Sequence, residues 1–214
     1  IKNKNLQPIK KKISLVENSI LKAKKFKLFD KIFCSTDSKN IINKLKKRNI
    51  YLIKRPNHLA KDNSTAEEVV DHFYFFLKKK NINFPEILFL LQPTSPFLNY
   101  TTVKSIINKY KKEKKANSII SVIKVPHKFH YLNQRTVDKN SKINFLFPGR
   151  NRYKQRQQKK EVFCHGNIFS FKTKSFLRSK KILNSPIYSV KLKNFKDSID
   201  IDNYWDLILE RKFF

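Results

Sequence analysis

The sequence predicts an α/β fold, a three-layer arrangement in which a mostly parallel central sheet is covered by flanking helices. Three observations lead there. Five apolar residues, Ile87 to Leu91 (ILFLL), run without a polar break and stop at Gln92-Pro93. So short a run between turn signals reads as a strand buried on both faces, as in parallel sheets. Segments with helical apolar spacing alternate with such runs along most of the chain, the pattern of right-handed strand-helix-strand crossovers. No apolar run approaches the ~20 residues a membrane-spanning helix needs.

Residues 1–12 (IKNKNLQPIKKK) are polar and unpatterned and read as a loop. In 13–29, Ile13, Val16, Ile20 and Ala23 recur at helical spacing with lysines opposite. A strand follows at 32–36, with Asp37 and Ser38 at its carboxyl end. Ser38 can cap a helix over 39–47. Residues 50–53 are another short strand. After a loop at 55–63, Ser64 and Glu67 have capping-box spacing for a helix to about residue 80, with Val69, Val70, Phe73, Phe76 and Leu77 on its apolar face. Past ILFLL, Pro93 and Pro96 stop ladder and helix alike. A helix over 101–115 and a strand over 118–125 follow. Residues 126–161 are long, polar and basic; they read as an excursion from the sheet, a hairpin or arm. Strands at 166–171 and 187–192 flank a helix near 173–181. A short strand at 198–201 leads to a last helix, 203–212, started by Asp202.

A chain of 214 residues with 40% hydrophobic content and 19 Phe suits one domain, 1–214, with ample core. Cys34 and Cys164 make no disulfide framework, and a reducing cytoplasm is the simplest setting. The start of the chain is too polar and basic for a signal peptide. Met is absent and the chain begins at Ile1, which reads as a fragment or a processed form. The net charge of +32 invites a nucleic-acid-binding reading. The lysines, however, are spread through every predicted helix, whereas a binder concentrates its basic face. Compositional drift toward Lys, Asn, Ile and Phe is the preferred explanation.

Gln92, Thr94 and Ser95 fall beyond the carboxyl end of a strand, where α/β sheets bind ligands. An amide and two hydroxyls suit a base, a ribose or a phosphate, although an ordinary strand-to-helix loop would read the same way. Asp200 and Asp202 in SIDID are two apart, so an extended backbone turns both to one side. Such a pair suits Mg²⁺. The plainer alternative is that Asp202 caps the last helix and Asp200 is a surface residue. Lys4, Asn5 and Arg55 sit in loops suited to phosphate, though among 48 basic residues any one can be a solvated surface group. Two glycines exclude a P-loop or a G-x-G-x-x-G turn. Arg150, Arg152 and Arg156, with Gln155, Gln157 and Gln158, form a dense cluster. Arginine forks bind carboxylates, so an acidic sugar, nucleic acid or plain surface all fit. His165 stands at the mouth of a strand and can meet a ligand. His127 and His130 lack a third ligand for zinc.

Taken in order, KNKNLQPI, FCSTDS, KRPNHLAKDNSTAEEVV, LLQPTSPF, RQQ, HGNIFSF and SIDID resemble one family over nearly the whole chain, the CMP-N-acylneuraminate synthetases. The resemblance implies a nucleotide-diphospho-sugar transferase-like fold with a dimerisation arm at about 126–161. It implies a nucleotidyltransferase that moves CMP from CTP to the anomeric hydroxyl of a nonulosonic acid (sialic acid or a legionaminate- or pseudaminate-type sugar) and releases pyrophosphate, with Mg²⁺ as cofactor. By position, Lys4 and Asn5 match residues near the triphosphate. Arg55 matches the cytidine pocket, with Ser64 or Thr65 as a neighbouring hydroxyl. Gln92, Thr94 and Ser95 match the loop shared by nucleotide and sugar, Arg156 and Gln157 the pair at the sugar carboxylate, and Asp200 and Asp202 the metal carboxylates. The implied partners are CTP, the sugar acid and a second copy of the chain, with no membrane and no nucleic acid. Two features depart from the family. Its N-terminal strand and Gly-containing loop are not in this sequence, which implies a lost edge strand and a reduced triphosphate cradle. His165-Gly166 stands where the family has Asn-Gly, which leaves the sugar open. A 3-deoxy-octulosonate cytidylyltransferase is the related alternative, and a non-catalytic basic nucleic-acid-binding protein the alternative from another class.

Overall fold

The computed structural model describes residues 1, 3–10, 13–147 and 156–213. In order these form β1 (Pro8–Lys10), β2 (Ile13–Ser14), α1 (Leu15–Phe26), β3 (Phe33–Thr36), α2 (Lys39–Leu45), β4 (Tyr51–Lys54), α3 (Ala66–Lys79), β5 (Ile87–Leu91), α4 (Tyr100–Lys112) and β6 (Ser118–Lys124). Then come β7 (Arg135–Val137), β8 (Ile143–Phe145), β9 (Phe163–Lys172), α5 (Thr173–Ser179), β10 (Ile187–Lys191) and α6 (Tyr204–Phe213). Among the described residues, no helix is long and apolar enough to cross a membrane.

The main sheet has the order β10-β6-β9-β5, and β3 pairs with β4 in a separate parallel ribbon. Three layers result. The strict alternation of β5 sends Leu88 and Leu90 to one face and Ile87, Phe89 and Leu91 to the other. The first face packs on Phe73 and Leu77 of α3 and Phe176 of α5. The second packs on Val103, Ile106 and Tyr110 of α4. Phe33 of β3 and Ile53 of β4 join the first cluster, so ribbon and sheet share a core.

The sheet is mixed but mostly parallel in direction: β5, β6 and β10 run one way and β9 runs against them. β10 runs parallel to β6, but β9 is antiparallel to both β6 and β5. The reason lies in the connection. Parallel neighbours need a crossover, usually a helix, whereas β6 and β9 are joined by the arm with its small β7–β8 hairpin. Both faces of β5 are covered, as the ILFLL run predicts, though each of its residues is only partly buried.

Other boundaries moved for local reasons. The first residues are not a plain loop: a 3₁₀ turn at Lys4–Leu6 leads into the β1–β2 hairpin. The capping box lies one residue later than expected, on Thr65 and Glu68. Ser64 instead donates to the His58 carbonyl at 2.9 Å. The segment 198–201 is not a strand; a 3₁₀ turn, Phe195–Ser198, is followed by extended chain without a ladder partner among the described residues. Asn203, not Asp202, caps α6, its side-chain oxygen accepting from the amides of Trp205 and Asp206.

One buried acid anchors α1. Glu17 is 5% exposed and accepts from the Ser14 amide at 3.1 Å and the Ser14 hydroxyl at 2.7 Å. Arg48 reaches it at 2.7 Å and Lys44 at 3.2 Å. Burial alone would raise its pKa, but the hydrogen bonds from Ser14, Arg48 and Lys44 outweigh burial and hold it down at about 2. A depressed carboxyl stabilises the fold above its unfolded pKa and loses that contribution as the pH falls. Stability is therefore expected to drop as the pH falls from about 4.5 toward 2. Glu17→Gln is expected to cost about 1–2 kcal/mol at pH 7, modest because Lys44 and Arg48 stay partly solvated, and to flatten that part of the urea-melt pH profile.

Candidate functional site

The loop after β5 is held from behind. The Ser95 amide donates to the Gln92 carbonyl at 3.1 Å and closes a turn. The Pro96 carbonyl accepts from the Asn18 amide group at 3.0 Å and from the Lys22 ammonium at 2.6 Å, both on α1. Phe97 is buried beneath the Lys196 ammonium, 4.5 Å from the ring centre. The loop's backbone is thus fixed while Gln92 is exposed and Thr94 half-buried; Ser95, 3% exposed, is enclosed.

The acidic segment is tied to this loop. The Ile201 amide donates to the Thr94 carbonyl at 2.9 Å. Ile201 itself is fully buried in a small cluster with Ile9, Leu15 and Leu207. With Ile201 pointing inward, the flanking Asp200 and Asp202 are both exposed, which is the alternation expected of SIDID. The Asp202 side chain does not cap α6. It meets the Lys4 ammonium at 3.4 Å and stays 75% exposed. Asp206 takes the local work, accepting from the amides of Asp202 and Asn203 at 2.9 Å each.

Lys4 also lines a cavity of about 220 Å³ at the carboxyl ends of β3 and β4. Asn5, Ser35, Asp37, Arg55 and Pro93 share its wall. Pockets that bury a whole drug-sized ligand measure roughly 300–1,000 Å³, so this cavity takes part of a ligand and leaves the rest along the rim. Arg55 leaves β4 bonded through its amide to the Thr36 carbonyl at 2.9 Å, and its Nη2 pairs with Asp37 at 3.2 Å. Three buried polar atoms of this wall have no hydrogen-bond partner: Asn5 Oδ1, Ser35 Oγ and Arg55 Nε. Buried polar atoms are normally satisfied, so a cluster of three in one cavity marks a place for a ligand. Burial pushes the thiol of Cys34, on the same wall, up to about 11, away from the thiolate form that reacts.

The structure therefore gathers Lys4, Asn5, Arg55, the Pro93–Thr94 turn and Asp202 on one rim. It does not bring Ser64 and Thr65 there. Ser64 is spent on the loop, and Thr65 caps α3, accepting from the Glu68 amide at 3.2 Å. Gln157 is exposed in a short turn of the arm. The side chain of Arg156, and Arg150, Arg152 and Gln155, lie outside the described residues. His165 is exposed on β9, its ring edge-on to Phe169 at 5.4 Å. Among the described residues, no group of three His, Cys, Asp or Glu gathers as a metal site. The two exposed aspartates still fit a hard cation, since magnesium takes one or two carboxylates and fills its shell with water and phosphate oxygens.

Three contributors were not anticipated. Ser35 sits inside a strand with no local signal. Asp37 had one, its place just past a strand. Asn167 supports the acidic segment from below: buried in an irregularity of the β6–β9 pairing, it donates to the Asp197 carbonyl just ahead of SIDID. Gly166 is required beside it, because a Cβ there would lie 2.5 Å from Ser121 Oγ and 3.1 Å from the Ser121 carbonyl carbon.

The fold is an α/β sheet with a polar cavity at its rim and Asp202 beside it through Lys4. Two solved structures share the fold. One is a CMP:2-keto-3-deoxy-manno-octonic acid synthetase complexed with CTP, with a TM-score of 0.71 and 12% identity, covering 100% of this chain and 92% of that one. The other is a 4-diphosphocytidyl-2C-methyl-D-erythritol synthase from Anaerococcus prevotii, with a TM-score of 0.59 and 15% identity, covering 95% and 90%. A family model described as cytidylyltransferase matches residues 1–201, and the chain belongs to that family. Among characterised relatives, it is 27% identical to a CMP-N,N'-diacetyllegionaminic acid synthase of Legionella pneumophila over 92% of this chain and 84% of the relative. It is 25% identical to an N-acylneuraminate cytidylyltransferase of Escherichia coli over 98% of this chain, which spans 48% of that relative's length.

Two measurements follow from this geometry. Iodoacetamide at pH 8 is expected to label the exposed Cys164 and leave Cys34 unmodified in the folded protein, read by peptide mass spectrometry. Asn167→Ala is expected to cost about 1–2 kcal/mol in a urea melt, the usual cost of a lost buried hydrogen bond.

Proposed function

We propose that the protein is a cytidylyltransferase that moves CMP from CTP to the anomeric hydroxyl of a nonulosonic acid and releases pyrophosphate. The observation that carries this reading is the junction of the QPTSP loop with the acidic segment, through Ile201 N–H to Thr94 O and Lys4 to Asp202. The cavity wall receives the nucleoside, with Arg55 and Asn5 in contact with it. The ammonium of Lys4 neutralises phosphate oxygens lying along the rim. Gln92 and Thr94 orient the incoming sugar hydroxyl in line with the α-phosphorus. Gln157 and Arg156, carried by the arm, take the sugar carboxylate. Transfer of this kind depends on positioning and charge neutralisation more than on covalent help from the protein. Cytidylyltransferases commonly use a divalent metal. Asp200 and Asp202 would hold the ion, a hard cation such as Mg²⁺, which would supply charge neutralisation beside the phosphates.

The chain forms one catalytic domain with an arm at about 126–161 that docks on a second copy. The arm exposes Val137 at 65%, Ile143 at 66% and Phe145 at 51%, an apolar surface that a partner's arm or sheet would cover. An octulosonate sugar remains the second reading, favoured by the fold neighbour that carries CTP; the names of the sequence relatives favour the nonulosonic acids.

Pyrophosphate release with CTP and Mg²⁺ is to be measured against N-acetylneuraminate, N,N'-diacetyllegionaminate and 3-deoxy-octulosonate. Turnover only with the last would replace the nonulosonic reading. Asp202→Ala, on an exposed side chain, is expected to lower kcat by at least about 10²-fold, in line with loss of a preorganised electrostatic group, and to leave the melting temperature within about 2 °C, since surface substitutions rarely move stability. Unchanged turnover would refute the role given to Asp202. Ile143→Glu with Phe145→Glu is expected to shift the sedimentation coefficient from dimer to monomer.

A further inference from the structure

The unpartnered atoms of the cavity have a donor-acceptor logic that the activity by itself does not assign. Arg55 Nε can only donate, Asn5 Oδ1 can only accept, and Ser35 Oγ can do either. The oxygens of a triphosphate only accept, so they would leave Asn5 Oδ1 unsatisfied. A group carrying an N–H or O–H as well as acceptors, such as an aminopyrimidine edge or a ribose, would satisfy all three atoms. Asp37 meanwhile holds Nη2 of Arg55 at 3.2 Å, fixing the plane of the guanidinium while Nε stays unused. The β3–β4 ladder sets these residues side by side: Ser35 lies opposite Ile53, Thr36 opposite Lys54, and the Arg55 amide bonds back to the Thr36 carbonyl.

From this we infer that Ser35 is a nucleoside-contacting residue, its hydroxyl meeting the cytidine moiety beside Arg55, and that Asp37 is the positioning residue for the Arg55 fork. The inference rests on the cytidylyltransferase reading and deepens it. Ser35 and Arg55 then act on the nucleoside end of CTP, and the rim around Lys4 and Asp202 acts on the phosphates.

Binding of cytidine, CMP and CTP by calorimetry separates the two ends. Ser35→Ala is expected to weaken all three by the same factor, roughly five- to tenfold, the equivalent of one net hydrogen bond. Ser35→Thr, which keeps the hydroxyl, is expected to recover most of it. In turnover assays Ser35→Ala should raise KM for CTP with kcat nearly unchanged. Asp37→Asn should raise the same KM by a similar factor, and should add nothing once Arg55 has been replaced by Met. Thermal melts of each variant exclude a folding defect, and Ser35→Thr keeps the test decisive if Ser35→Ala proves unstable. Equal affinities in the wild-type and Ser35→Ala proteins, or a loss confined to CTP, would overturn the inference and leave the enzyme reading intact. Failure of the unmutated protein to bind any of the three would overturn the reading it rests on as well.

Discussion

The structure turns on one backbone hydrogen bond, from the Ile201 amide to the Thr94 carbonyl. It joins two segments more than one hundred residues apart, the proline-bounded loop after β5 and the acidic stretch before α6. Neither has a ladder of its own to hold it in place. The loop carries the exposed amide of Gln92, the stretch carries two exposed carboxylates, and the bond makes them neighbours. The full burial of Ile201 gives the bond its orientation, because inward placement of that side chain forces Asp200 and Asp202 outward.

Supports for this junction come from several layers. Asn18 and Lys22 on α1 hold the Pro96 carbonyl, and α1 is itself anchored by the ion cluster around Glu17. On the other side Asn167 fixes the turn ahead of the aspartates, from a point where β9 departs from regular pairing with β6. Irregular strand pairing next to sites commonly re-aims a side chain, and here it frees an amide to reach out of the sheet. Site residues supported by rigid elements keep their geometry better than residues on unsupported loops.

The charge of the protein takes on a particular meaning around this rim. Most of the lysines are dispersed, but Lys4 and Arg55 are each paired with an aspartate beside the cavity, Asp202 and Asp37. A basic residue held by one acid is oriented without being fully neutralised. At Lys4 an anionic ligand can compete for the ammonium, and Asp202 can then turn to a cation, whereas Asp37 keeps the Arg55 guanidinium in place. The arm plays a different part. Its described residues hold the β7–β8 hairpin in place of a crossover helix, and β9 returns antiparallel between β5 and β6.

Much of this was legible in the residues. The apolar run of β5, the helical spacing of α1, α3 and α4 and the Ser38 cap followed from local periodicity and side-chain chemistry, which act within a few residues. The same local rules left ambiguities they could not resolve. S-T-A-E and T-A-E-E both satisfy a capping box; in the fold Thr65 and Glu68 form it, while Ser64 bonds to His58 and Glu67 accepts from the distant Ile182 amide. The acidic stretch read as a strand because its alternation is real, but the alternation comes from burial of Ile201 and not from a ladder. The antiparallel sense of β9, the pairing of Lys4 with Asp202 across 198 residues and the gathering of Ser35 with Asn5 and Arg55 are long-range contacts. The sequence by itself determined the elements and the chemistry they carry. Tertiary packing decided which of those groups meet, because distant side chains are brought together by the sheet and not by any local preference.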